Sequence, residues 1–93
     1  MDEIKRLYVG TISTEETNVL DLTNGAVLKT ILICNASETE QTIEINVDSS
    51  VFLFTIEANK TLIIDNAIVC NILKMKASEL LNIHISGIQL GGA

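Results

Sequence analysis

The chain has 93 residues, 47% of them hydrophobic but only 3% aromatic, and a net charge of −6 from twelve acids and six bases. That length sets one domain over residues 1–93 with a flexible tail at 91–93, and the acidic balance argues against a nucleic-acid partner, whose phosphates need a basic stripe. No apolar run reaches the roughly 18 to 20 residues of a spanning helix, and Met1-Asp2-Glu3-Ile4-Lys5-Arg6 lacks the apolar core of a signal peptide, so we expect no membrane partner, no signal-peptide secretion and synthesis in the cytoplasm.

Fourteen Ile, nine Thr and six Val favour pleated strands over helices. In chain order, Arg6 to Ser13 reads as a first strand, followed by Thr14-Glu15-Glu16-Thr17 as a turn or a single helical turn. Val19 to Thr23 is a second strand. Asn24-Gly25 then predicts a type I′ hairpin, because both residues tolerate positive φ. The third strand, Ala26 to Asn35, contains the run Lys29-Thr30-Ile31-Leu32-Ile33-Cys34-Asn35, which is apolar on both faces and so predicts cover on both sides.

After the solvated turn Ala36 to Glu40, Thr42 to Val47 alternates with Ile43, Ile45 and Val47 on one face. Asp48-Ser49-Ser50 turns into Val51-Phe52-Leu53-Phe54-Thr55-Ile56, again apolar on both faces and holding both phenylalanines. This pattern reads as a central strand or a subunit contact. Ala58-Asn59-Lys60 returns the chain into Thr61 to Ile64, and Asp65-Asn66 precedes Ala67 to Cys70. Beyond Asn71, Leu73-Lys74-Met75-Lys76 alternates, marking a half-exposed or edge strand. Leu80 to Ile88 closes the domain with Ile83 and Ile85 inward and His84 and Ser86 outward. Gly87 breaks that alternation, which predicts a bulge or a close backbone approach. The fold class that follows is all-β, an antiparallel β-sandwich or jelly-roll-like barrel of eight or nine short strands.

Chemistry is sparse. His84 is the only histidine, and its nearest acid in sequence, Glu79, bears no fixed face relation to it. No Gly-x-Ser-x-Gly elbow or Cys-His pairing is suggested by spacing, and no phosphate-cradling glycine loop is present. Cys34 and Cys70 lie in apolar runs without zinc-site spacing and read as reduced core residues. We therefore expect no catalytic, cofactor or metal residues, no small-molecule substrate and no enzyme activity. The candidate subunit interface is Val51, Phe52, Leu53 and Phe54 together with Ile31 and Ile33.

The order of these segments, with Ala26 to Ser37 ending its strand in Cys34-Asn35, a Thr-Ile alternating strand next, and the closing Ile83-His84-Ile85-Ser86-Gly87-Ile88, resembles small β-sandwich structural proteins of tailed bacteriophages and prophages. The likeness runs from about Leu7 to Leu90. It implies a non-enzymatic virion component of head, neck or tail, acting as a homo-oligomer or docked to other virion proteins. A small ligand- or carbohydrate-binding β-sandwich module is the alternative.

Overall fold

β-Branched side chains recur throughout this chain, and among the described residues every regular element is a strand. The computed structural model describes residues 4–91. Its strands are β1 (Lys5–Ile12), β2 (Thr17–Asn35), β3 (Gln41–Val47), β4 (Ser50–Ile56), β5 (Lys60–Ile64), β6 (Ile68–Ala77) and β7 (Leu81–Gln89). All pairs are antiparallel, and they build one sheet in the order β1-β7-β2-β6-β3-β4, with β5 beside β2. The all-β, antiparallel expectation holds. The bend at Thr14-Glu15 carries no helical turn.

Among the described residues seven strands stand where eight or nine were expected, because two polar interruptions are crossed rather than turned. Asn24-Gly25 is not a hairpin. Asp21 pairs with Ile72 and Ala26 with Cys70, so both flanks of the interruption pair with the same strand. The four residues between them face Asn71 alone and form a wide bulge. Gly25 takes its positive φ of 83° inside that bulge. The predicted break at Asn71 lies directly opposite and is also continuous strand. Its side-chain amide donates to the carbonyls of Leu22 and Thr23 at 3.2 and 3.1 Å, so the residue opposite the bulge satisfies two of the bulge's backbone carbonyls.

The two-residue hairpin with positive φ at both positions occurs instead at Asp48 and Ser49, at 46° and 76°, between β3 and β4. Neither residue is glycine, so the turn is held by partners. Asp48 N donates to Ile72 O at 3.0 Å, and Ser49 N donates to the Asn46 side-chain oxygen at 2.9 Å. The Asp48 carboxylate accepts from the amides of Asn71 and Ile72, both at 2.9 Å. Those bonds, Ile72 first, hold its pKa below the usual 3.8.

β2 is the spine. It pairs with β7 over Ala26 to Cys34, with β6 over Thr17 to Leu28 and with β5 over Ile31 to Asn35. Alternate residues of the strands point inward: Leu28, Ile31 and Ile33 from β2, Ile43 and Ile45 from β3, Leu73 and Met75 from β6, Leu81, Ile83 and Ile85 from β7. They form a single core cluster, so the sheet curls around one interior. β6 lies between β2 and β3, which corrects the edge reading of Leu73 to Lys76; the half-exposed reading holds, with Leu73 and Met75 buried.

Gly87 sits where β7 and β2 touch. A Cβ there would lie 2.2 Å from the Val27 carbonyl oxygen and 3.0 Å from the Leu28 Cα. Opposite it, the register shifts between Leu28 and Thr30, leaving Lys29 as an extra residue. The broken alternation in the sequence thus reports both a close backbone approach and a bulge.

At the far end of β2, Asn35 is fully buried. Its amide nitrogen donates to the carbonyls of Thr39, Ile56 and Glu57 at 2.9, 3.0 and 3.2 Å. Its oxygen accepts from Ser37 N at 3.0 Å and Ser37 Oγ at 2.6 Å. One side chain therefore ties the β2–β3 loop to the end of β4.

Candidate functional site

Both doubly apolar runs leave apolar surface uncovered, which corrects the expectation that Lys29 to Asn35 is covered on both sides. In β2, Ile31 and Ile33 are 1% and 0% exposed and belong to the protein's own core. The outward positions of that run are Leu32 and Cys34. Leu32 stands in a row across four strands, beside His84 of β7 and Ile63 of β5, with Val9 of β1 on the far side of His84. Val9, Leu32 and Ile63 are all exposed.

β4 differs from its expected place as a central strand. It is the last strand of the sheet, paired along its whole length with β3 and, among the described residues, with no strand on its other edge. Its alternation explains why both faces read as apolar. Phe52, Phe54 and Ile56 pair with Ile45, Ile43 and Gln41 and turn toward the core side, whereas Val51, Leu53 and Thr55 turn outward. Leu53 is 75% exposed, and Val51 and Phe52 are each 52% exposed. Phe54 is half-buried. Of the six predicted interface residues, the structure brings Val51 to Phe54 together at this edge, withdraws Ile33 into the core, and leaves Ile31, itself buried, lining the apolar groove beside the edge.

Phe52 is exposed despite facing inward because β5 does not continue the sheet. It turns away after Glu57 to Asn59 to pair with β2. An apolar groove of about 460 Å³ remains between β4 and β5, lined by Ile45, Phe52, Phe54, Leu62, Ile64 and Ile68, with Asn66 as its polar contributor. Leu62, Ile64 and Ile68 pack partly on the core, so the groove is the core's own open side. Sequence reasoning missed these three residues. The cue was present in their composition, but the parity of a five-residue strand does not say which strand lies beside it.

Among the described residues of the remaining surface, the titratable and nucleophilic side chains do not gather into a reactive site. Glu79, the acid nearest His84 in sequence, accepts from Gln41 Nε2 at 2.7 Å and is committed to the β3 end of the sheet. Both cysteines are free. Cys34 is half-buried beside Leu32 and His84. Burial pushes the Cys70 thiol up, and the Asp48 carboxylate adds to that shift, so Cys70 stays protonated and unreactive at neutral pH. Among the described residues no three His, Cys, Asp or Glu side chains gather into a group able to hold a metal ion. Chemically, the arrangement offers unpaired strand backbone flanked by apolar side chains.

Comparison of the chain with protein-family models, with curated proteins and with solved structures finds no match in any of the three.

Proposed function

We propose that this protein is a non-enzymatic assembly module that works by self-association or by docking to a larger structure. The observation that carries the reading is the free β4 edge, where Val51, Phe52 and Leu53 are exposed side by side on a strand that pairs with β3 on one edge and, among the described residues, with no strand on the other. An unpaired strand presents a row of backbone donors and acceptors, and natural proteins blunt such edges with charge or proline when they are meant to stay free. Ser50 to Ile56 contains neither. The exposed row of Val9, Leu32 and Ile63 gives a second apolar area on the outer face and supports the same reading.

The virion setting, at head, neck or tail, is supported by the sequence resemblance alone. In that setting the module is one repeated part of a symmetric particle, which suits a small domain whose chemistry is confined to contact. The ligand-binding alternative has less support. The groove beside Phe52 is almost wholly apolar and offers one half-exposed aromatic ring, whereas a sugar site needs an aromatic platform with several convergent polar groups.

Light scattering of the purified chain at tens of micromolar tests the proposal, together with its binding to purified capsid, neck and tail components. A mass above that of one chain, or stable binding to such a component, is the expected result. A strict monomer that binds none of them overturns it.

A further inference from the structure

We infer that the occupant of the β4 edge is the β4 strand of a second copy of this chain, paired antiparallel about a two-fold axis at Leu53. This inference rests on the assembly reading and names its partner and symmetry.

Charge is the first argument. Each chain carries −6, with eighteen charged side chains among 93 residues, so two copies repel unless they meet through an uncharged surface. β4 is such a surface, Ser-Val-Phe-Leu-Phe-Thr-Ile without a single charge. A heterologous partner gains from complementary charge at the contact, and this strand offers none to complement.

Self-complementarity is the second argument. A two-fold axis at Leu53 sets Leu53 against its own copy, Val51 against Thr55, and Phe52 against Phe54. The pleat keeps Val51, Leu53 and Thr55 on the outer side and both phenylalanines on the core side. All the phenylalanine of both chains thus meets in one cluster over the mouths of the two grooves. A two-fold contact uses the same patch twice, and only a patch that matches itself in reverse order allows this.

Area is the third argument. Leu53 is 75% exposed and Phe52 52%, so the edge carries two large apolar side chains that a paired copy can cover. One strand-to-strand contact of this kind falls at the small end of specific interfaces, so concentration governs the dimer.

The test places single cysteines along β4 in a Cys34→Ser background, where Cys70 is buried and inert. Under mild oxidation Leu53→Cys forms a covalent dimer, because the axis brings the two copies of that residue together. Val51→Cys and Thr55→Cys each cross-link poorly alone, yet link to one another when mixed. Leu53→Lys keeps the native circular dichroism spectrum and weakens the dimer by roughly 30-fold or more, the loss expected for a central contact. Equal cross-linking at all three positions, or none at Leu53, overturns the inference. An oligomer that does not link through Leu53→Cys removes this axis and leaves the assembly reading standing. A monomeric chain that binds a virion component also removes the axis alone. A monomer that binds nothing removes both.

Discussion

Replacing Asn35 with aspartate keeps the shape of the side chain and deletes its donors, so Asn35→Asp isolates the hydrogen bonding of the knot from its packing. The amide nitrogen serves three carbonyls at 2.9 to 3.2 Å in a site with no solvent exposure. Its two N–H groups share those three carbonyls, so losing them costs roughly 2 kcal/mol, and an ionised carboxylate facing three carbonyl oxygens adds several kcal/mol of desolvation and repulsion. The expected loss at pH 7 is roughly 4 kcal/mol or more, a large part of the 5–15 kcal/mol that a domain has in total. Asn35→Ala, which buries no charge, loses roughly 3 kcal/mol. The new carboxylate has a folded pKa raised above its unfolded value of about 3.9, so its penalty is complete above the folded pKa and shrinks as pH falls through it. Urea unfolding followed by circular dichroism at pH 7 and near pH 4.5 reads both effects. An Asn35→Asp protein within 1 kcal/mol of the parent at pH 7, or one whose deficit does not shrink in acid, refutes the role given to this side chain.

Gly87→Ala is expected to cost roughly 3 kcal/mol or more, because its methyl group falls 2.2 Å from the Val27 carbonyl oxygen and forces β7 off β2; a midpoint in urea close to the parent's contradicts that close approach. Ser49→Gly relieves a non-glycine residue held at φ 76° and should raise stability by about 0.5–1 kcal/mol, read as a higher thermal midpoint. Asp48 has a folded pKa below its unfolded one, so its contribution is present above the unfolded value of 3.8 and is lost as pH falls through the folded pKa. Stability measured from pH 5 downward should decline less steeply in Asp48→Asn than in the parent, and parallel declines would remove the carboxylate from the account.

Strand identity was legible because Ile, Val and Thr recur with period two, and the inward sets Ile43/Ile45 and Ile83/Ile85 are read from that parity alone. Gly87 was legible for the same reason, as the one place where parity fails. What the sequence did not reveal is which polar breaks turn the chain. Asn24-Gly25 has the composition of a hairpin, but a hairpin exists only if its flanks pair with each other, and here both flanks pair with β6. Asp48-Ser49 has weaker turn composition and makes the hairpin because Asn46, Asn71 and Ile72 supply partners from elsewhere in the chain. The candidate surface was half legible for a related reason. Two runs apolar on both faces look alike in sequence, and only neighbours distant in the chain decide that Ile31 and Ile33 are covered while Leu53 is not.

The spine strand also sets the order in which the fold is completed. β2 ends at Asn35, but its flanking partners β6 and β7 run to Ala77 and Gln89, so closure over long separations must wait for the last part of the chain. Such non-local pairing places folding in the millisecond-to-second range typical of all-β domains. The β3–β4 hairpin spans the shortest separation in the fold and forms transiently within about 1–10 μs, but its turn is held only once Asn71 and Ile72 of β6 reach Asp48. Nascent chains therefore carry the uncharged β4 ribbon before the β6 residues that hold its turn, and before an interior exists to shelter its phenylalanines. The rate of synthesis and the local crowding of unfinished chains then decide whether that ribbon meets a folded copy or a misfolded one.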